Sequence, residues 1–276
     1  DTLSNSNTKY YKAQDGYSIV TTVDSVIQHF VEDAIDKGMD DTGAEAITCI
    51  VMEPKTGNIL AMASTPEYDP NDSSEPSDKA EKEKFEKMSD KEKTEYLSEM
   101  WKIKPVSDIY EPGSTFKTIT LAAAIDCGAV TLDSHFSCGG AEQIPGRAQL
   151  LHCWRHQGHG GQTTAQALQN SCNLAFAHIG LKLGGERFYD YVQKFGILQK
   201  TGIDLAGESG GVFFSRELIV DTDKWGTASL TSGSFGQTFK ITPLQLVRAI
   251  ASVVNGGNLL EPYIVSEIQD AEGNTV

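Results

Sequence analysis

The sequence predicts a mixed fold of the α/β (α+β) class, and three observations carry that prediction. Apolar residues recur at helical spacing in several separate windows. Between them lie short apolar or β-branched runs, two of them joined by a turn signal that marks an antiparallel hairpin. The chain has 276 residues, 39% of them hydrophobic and 22% charged. That is enough for one large domain with its own core, and it is unlike a disordered or fibrous chain.

Residues 17–38 open as a β-branched strand and then turn helical. Val26, Ile27, Phe30, Val31 and Ile35 share helical spacing, Asp24 is placed to cap the start, and Gly38 to end it. Residues 46–53 and 58–63 are apolar runs joined by Pro54-Lys55-Thr56-Gly57, a hairpin. Residues 72–102 are dense in both charge signs and read as a solvated helical insertion with i,i+4 ion pairs. Over 110–130 a helix is expected, with Pro112-Gly113 before it, an apolar face through Phe116, Ile119, Leu121 and Ile125, and Gly128 as its stop. Residues 131–162 are rich in glycine. Helical segments are expected around 163–183 and 185–195, then a loop from 196 to 231. A last helix near 242–255 begins with Pro243 in the first turn, where its missing N–H is harmless, and the tail reads as strand and turn. There is no internal repeat.

Lys and Arg number 23 against 38 Asp and Glu, a net charge of −15. Such a surface repels phosphate backbones and argues against nucleic acid as a partner. No apolar run reaches the length of a membrane span, and the polar opening DTLSNSNTKYYKAQ lacks the pattern of a signal peptide. Compartment therefore has to be inferred from function.

The chemistry centres on Ser114-Thr115-Phe116-Lys117, an S-x-x-K in the first turn of the expected helix. The spacing sets hydroxyl and amine one turn apart on one face. The helix N-terminus favours an alkoxide, and a lysine kept neutral by burial can take the serine proton. Alone the motif is weak, since Ser as a helix cap and Lys as a surface residue explains it equally well. A second element, Ser171-Cys172-Asn173, lies between helical segments: its serine can pass a proton and its amide can hold both a lysine and a substrate carbonyl. The order and distance of the two fit the serine acyl-transfer motif set.

With these stretches, TTVDSVIQ, EPKTGNILAMASTPEYDPN, YEPGSTFK, GHGGQTTAQALQNSCN, KTGIDLAGESGG and SFGQTFKITPLQLVRAIASVVNGG, the chain resembles the transpeptidase domain of class B penicillin-binding proteins over nearly its whole length, 1–276. The charged insertion at 72–102, the SCN form of the second motif and the Cys-Trp pair look most like the clostridial, sporulation-type members. The resemblance implies the penicillin-recognising fold, an antiparallel sheet flanked by helices, with further C-terminal strands beyond this chain. It implies a D,D-transpeptidase that forms an acyl-enzyme on peptidoglycan stem peptides ending in D-Ala-D-Ala and is a target of β-lactam antibiotics. Ser114 is then the nucleophile, Lys117 its general base, Ser171 the proton relay and Asn173 the residue orienting Lys117 and the substrate amide. An extracytoplasmic, membrane-anchored setting beside cell-wall synthesis machinery such as a glycosyltransferase is also implied.

The family's third element, K-[ST]-G on an inner strand, is not found at its place. Lys55-Thr56-Gly57 and Lys200-Thr201-Gly202 match in letters but sit where the family has ordinary turns. The expectation is that the true polypeptide continues past Val276 and that activity of this portion alone is uncertain.

Cys138, His152, Cys153, His156, His159 and Cys172 fall within 35 positions of a chain with five Cys and six His. Three readings are open: a structural zinc site of Cys138, Cys153 and Cys172 with His159 (His156 the alternative), a Cys153–Cys172 disulfide, or unrelated small residues. Cys49 and Cys127 read as core residues, His135 and His178 as structural. Competing functions are a serine β-lactamase or β-lactam sensor, a non-catalytic scaffold of a cell-wall assembly, and a metal-dependent hydrolase on the Cys/His cluster.

Overall fold

A computed structural model describes residues 15–221 and 225–276; the polar opening segment and 222–224, within the expected loop, lie outside the described residues. Strand β1 (Ser18–Thr21) leads into helix α1 (Ser25–Thr42), where the Asp24 side chain accepts hydrogen bonds from the N–H groups of Val26 and Ile27. The helix does not stop at Gly38. It ends at Gly43, whose φ of 65° is the left-handed conformation glycine adopts freely. Gly38 lies inside the helix beside Ile47, whose side-chain tip would have to give way to a Cβ 2.8 Å from its Cδ1. Val31 and Ile35 of the expected stripe are buried, whereas Val26 and Phe30 face solvent.

Strands β2 (Thr48–Met52) and β3 (Ile59–Ser64) form the predicted hairpin, with residues 54–57 as its turn. The charged segment folds as helices α2 (Lys79–Phe85) and α3 (Asp90–Met100), followed by the short α4 (Lys104–Ser107). Asp78 caps α2, and Ser89 with Glu92 forms a capping box on α3. Its ion pairs are exposed and mix spacings: Lys84–Glu81 is i,i+3 and Lys91–Glu95 is i,i+4. Pairs so exposed add little, because water screens them and two long side chains must be ordered to form each. Between the two helices the rings of Phe85 and Tyr96 lie 5.4 Å apart, and Lys93 Nζ stands 5.5 Å from the Phe85 ring centroid.

A 3₁₀ turn over Gly113–Phe116 then winds into α5 (Lys117–Asp126). Ile125 turns out half exposed, so the apolar face of this helix is carried by Phe116, Ile119 and Leu121. Four short strands follow, β4 (His135–Cys138), β5 (Ala141–Glu142), β6 (Leu151–His152) and β7 (Gly160–Thr163), with β4 against β7 and β5 against β6. The helices α6 (Thr164–Gln169), α7 (Asn173–Leu183) and α8 (Gly185–Lys194) come next.

The expected loop at 196–231 contains two helices, α9 (Arg216–Val220) and α10 (Trp225–Gly233). Sequence propensity gives no hint of α10, since WGTASLTSG is mostly glycine, serine and threonine. Tertiary contact supplies what propensity lacks: Gly180 of α7 lets the chain approach so closely that a Cβ there would lie 1.8 Å from Ser234 Oγ. Helix α11 (Pro243–Val254) starts as predicted, with a Thr242–Gln245 capping box and proline in its first turn. Strand β8 (Val265–Gln269) returns to pair antiparallel with β1. All four ladders among the described residues are antiparallel.

Helix α5 lies between two cores. Leu121 and Ala124 pack into one with Phe136, Leu174 and Phe176, while Phe116, Ile119 and Ala123 pack into another with Phe188, Phe239 and Leu246. A helix buried on both sides cannot shift without disturbing both cores. That rigid element begins at Lys117 and continues from the 3₁₀ turn that carries Ser114.

Candidate active site

Lys117 is almost fully buried, at 1% exposure, yet its amine is surrounded by oxygens. Nζ lies 3.0 Å from Ser114 Oγ, 2.9 Å from Ser171 Oγ, 2.9 Å from the Ser171 carbonyl oxygen and 2.8 Å from Asn173 Oδ1. The Ser171 hydroxyl in turn sits 2.9 Å from Ser114 Oγ, so both hydroxyls and the amine form a closed triangle. The carbonyl and the Asn oxygen can only accept hydrogen bonds, and they use two N–H groups. A neutral amine has no more than two, which leaves its lone pair facing the hydroxyls. Burial favours that state and lowers the Lys117 pKa from 10.5 to about 8, against the opposing pull of Cys153 and Cys172.

Local geometry explains how these groups meet. The S-x-x-K spacing acts across a 3₁₀ turn rather than an α turn, which keeps Ser114 exposed at the mouth while Lys117 lies inside. Ser171 holds a left-handed conformation, with φ of 49°, at the break between α6 and α7. Such a backbone costs a non-glycine residue on the order of 1 kcal/mol. It turns both the carbonyl and the hydroxyl of Ser171 toward Lys117. Cys172 then caps α7, its Sγ accepting from Ala175 N, and Asn173 projects from the first turn.

An open cleft of about 430 Å³ lies over the triangle, lined by Gly113, Ser114, Trp154, Ser171, Asn173, Phe235 and Gln237. Sequence reasoning missed Trp154, Phe235 and Gln237 as cleft residues. The signal available was Gly236 at φ 81°, in the stretch Ser234-Phe235-Gly236-Gln237. A Cβ on Gly236 would lie 2.0 Å from the Gly113 carbonyl oxygen, and Gly113 N–H donates to Gly236 O at 2.8 Å. The wall bearing Phe235 and Gln237 is thus pressed directly against the turn bearing Ser114. Neither K-T-G copy lines the cleft. Lys55–Gly57 forms the β2–β3 turn, and Thr201 is bound by the Glu208 carboxylate through both its N–H and its hydroxyl.

The three clustered cysteines and His159 do converge. One donor atom from each of Cys138, Cys153, His159 and Cys172 lies within 4.8 Å of all the others. Cys153 Sγ is 4.0 Å from Cys172 Sγ and 3.7 Å from His159 Nδ1. A tetrahedral zinc with Zn–S near 2.3 Å requires S···S separations of about 3.8 Å, so the donor set fits a metal. All five cysteines are free thiols here, and the Cys153–Cys172 pair has two further donors around it that a disulfide would leave unused. Burial pushes the Cys172 thiol up to about 12. The alternative ligand His156 is exposed and outside the group; its backbone oxygen instead packs on Gly140, where a Cβ would lie 1.9 Å away. The matching approach of Gly158 to Cys138 O closes the two loops on each other. Of the remaining residues, His178 pairs with Glu142 at 2.9 Å, and Cys49 and Cys127 are half-buried and apart from the cluster.

Comparison with known proteins shows which family the chain is similar to. The family model for the penicillin binding protein transpeptidase domain matches residues 47–276. Stage V sporulation protein D of Bacillus subtilis (strain 168) is 38% identical over 94% of this chain and 36% of its own length. Peptidoglycan D,D-transpeptidase MrdA of Escherichia coli (strain K12) is 27% identical over 91% of this chain and 38% of its own. The chain therefore spans little more than a third of the length of these curated relatives. Among solved structures, penicillin binding protein 3 from Mycobacterium tuberculosis, complexed with aztreonam, superposes with a TM-score of 0.77 at 26% identity, covering 98% of this chain and 54% of that one. Pseudomonas aeruginosa PBP2 in complex with WCK 5153 gives 0.74 at 28% identity, covering 95% and 56%.

Proposed function

The chain belongs to the penicillin-binding protein transpeptidase family, and on that premise we propose that it serves as a serine-type D-Ala-D-Ala transpeptidase of peptidoglycan, with Ser114, Lys117, Ser171 and Asn173 as its catalytic residues. The observation that carries the reading is the Ser114 hydroxyl, held within 3.0 Å of a buried amine and 2.9 Å of a second hydroxyl. Neutral Lys117 takes the Ser114 proton as Oγ attacks the carbonyl of the penultimate D-Ala. The N–H of Ser114 stabilises the oxyanion. As the C–N bond breaks, the proton passes from Lys117 through the Ser171 hydroxyl to the leaving D-Ala amine. An acceptor amine then attacks the ester, and the same groups run in reverse to restore Ser114. Asn173 holds Lys117 in place and offers its amide N–H₂ to the substrate. β-Lactams open on the same hydroxyl.

This reading places the chain outside the cytoplasmic membrane, in a membrane-anchored protein working beside a glycosyltransferase, and the sporulation relative favours a spore-wall role. It takes 1–276 as a portion of the transpeptidase domain and 72–102 as an insertion in it. Fluorescent penicillin labelling with mass mapping tests it. A long-lived adduct on Ser114, lost in Ser114→Ala, is expected; an adduct elsewhere sinks the assignment, and rapid turnover of the adduct makes the protein a β-lactamase.

Cys138, Cys153, Cys172 and His159 are proposed to hold a structural zinc. The ion would neutralise buried thiolates and brace the Ser171–Asn173 turn from behind through Cys172, and it takes no part in the acyl transfer. Metal analysis combined with chelator effects on melting tests this: a metal-free protein with unchanged stability would sink it.

A further inference from the structure

Arg147 has no part in the chemistry just described, yet it reaches from one side of the cleft to the other. It sits in the bend between β5 and β6, the hairpin that runs on into Cys153 and Trp154. That bend is held firmly. Arg147 N–H donates to the carbonyl oxygen of buried Ile144 at 3.0 Å, and Gln143 Nε2 donates to the Arg147 carbonyl oxygen at 2.6 Å. Glu142 of β5 pairs with His178 of α7 at 2.9 Å.

From this base the guanidinium grips the end of α10. Nη1 lies 2.7 Å from Thr231 Oγ1, 3.0 Å from Ser232 Oγ and 3.2 Å from the Ala228 carbonyl oxygen. The Thr231 hydroxyl donates to the Thr227 carbonyl oxygen at 2.7 Å, which leaves its own oxygen to accept from Arg147. A cation at a helix C-terminus meets the negative end of the dipole, and a charged donor makes the stronger hydrogen bond. Both count in a helix whose own residues disfavour it. Ser232 then links this grip to the nucleophile. Its carbonyl oxygen accepts from Phe235 N–H at 3.2 Å and from Gln237 N–H at 3.1 Å, the two residues of this wall that face the cleft. Between them Gly236 bears on Gly113, the residue before Ser114.

We propose that Arg147 is a positioning residue for acylation: through α10 and Ser232 it holds the wall at 234–237 against the Ser114 turn, and so sets where Ser114 Oγ stands. The inference rests on the acyl-transfer reading of the cleft. Arg147 itself lines no part of the cleft and touches none of Ser114, Lys117, Ser171 and Asn173. Its loss therefore acts on the limiting rate of acylation rather than on ligand affinity. Its second structural effect is to join the hairpin that carries Trp154 to the helix that carries Phe235 and Gln237.

The test compares Arg147→Ala with the parent chain in stopped-flow acylation by a fluorescent penicillin, with melting curves to confirm the fold. The limiting rate is expected to fall about tenfold, with the dissociation constant within about twofold of the parent. An unchanged limiting rate, or a loss confined to the dissociation constant, overturns the proposal. A double-mutant cycle with Gly236→Ala separates positioning from general weakening. Once Gly236→Ala has parted the wall from the Ser114 turn, removing Arg147 should slow acylation less than about twofold further; a full multiplicative loss overturns the proposal. Should Arg147→Ala not fold, Ser232→Ala removes one of the three acceptors and carries the same comparison, with an expected slowing of about threefold and refutation by an unchanged rate. Hydrogen exchange gives a readout that needs no ligand. Amides at 234–238 should exchange faster in Arg147→Ala while those of the β2–β3 turn stay as in the parent, and unchanged exchange at 234–238 overturns the proposal. Faster exchange there in a chain whose Ser114 is never acylated, parent included, would sink the acyl-transfer reading and leave the hold of Arg147 on the wall standing.

Discussion

Replacing Gly236 by alanine perturbs the site without touching any group that moves a proton. The new Cβ would stand 2.0 Å from the Gly113 carbonyl oxygen and 2.7 and 2.8 Å from its carbon and nitrogen. Such contacts are not tolerated under 3.0 Å, so the two backbones must part by at least 1 Å. The φ of 81° at this position adds about 1 kcal/mol against any L side chain. Gly113 precedes the nucleophile, and Ser114 Oγ depends on contacts of 3.0 and 2.9 Å. A misplacement of 1 Å can cost about 100-fold in rate, so acylation of Gly236→Ala is expected to slow by about that factor. The control is Gly57→Ala, where φ is 91° and the Cβ would lie 2.5 Å from the Glu261 carbonyl oxygen, at the β2–β3 turn. Both variants should lose about 1–3 kcal/mol in denaturant titrations. Stopped-flow acylation by a fluorescent penicillin separates them: slow for Gly236→Ala, unchanged for Gly57→Ala. Wild-type acylation by Gly236→Ala would refute the claim that the wall at 234–237 sets the position of Ser114.

Acylation should rise with pH through about 8, where Lys117 loses its proton, and fall about tenfold per unit below that; a flat profile between pH 6 and 8 removes Lys117 as the base. Stability moves the same way. With the folded pKa lowered from 10.5 to about 8, the unfolded chain binds the extra proton between those values, so raising pH through that window stabilises the fold. Cys172→Ser separates cap from ligand: serine is a good helix N-cap but a poor zinc ligand, so a lower melting temperature supports the metal and a higher one supports capping alone. Lys200→Ala is expected to leave penicillin acylation within twofold of the parent, since Lys200-Thr201-Gly202 is outside the cleft; a loss of tenfold or more would give that K-T-G copy a catalytic part.

What the sequence could reveal about the site follows from the range of each interaction. Ser114 and Lys117 are three residues apart, and their pairing needs nothing but one local turn, so the motif was legible. Ser171 and Asn173 were legible as residue types, but not the left-handed φ of 49° that aims both the hydroxyl and the carbonyl of Ser171 at the amine. Helix α10 was hidden because its own residues disfavour a helix, and its stability comes from the approach of Gly180 to Ser234, 54 positions away. The stripe of α1 failed differently: periodicity marks a face, and Val26 and Phe30 lie on it, yet they remain exposed. A pattern reports what an element can bury, and only its neighbours decide what it does bury.

The cysteines show why a residue-by-residue accounting of function is incomplete at this site. Cys172 is 0% exposed, caps α7, and stands between the two residues that hold Lys117. Cys153 precedes the tryptophan that walls the cleft, and His159 packs against that same ring. The Cys138–Cys153–His159–Cys172 group is therefore joined to the residues around Lys117 on one side and to the Trp154 wall of the cleft on the other, through peptide bonds and ring contact, and Cys153 and Cys172 also act on Lys117 by charge. Any ordering or loosening of the sulfurs must be felt at Ser171, Asn173 and Trp154 together, because each is adjacent in the chain to one of the donors. Beside the wall at 234–237, the cleft has two further supports: the packed helix α5 beneath Ser114 and Lys117, and this sulfur cluster behind Ser171, Asn173 and Trp154.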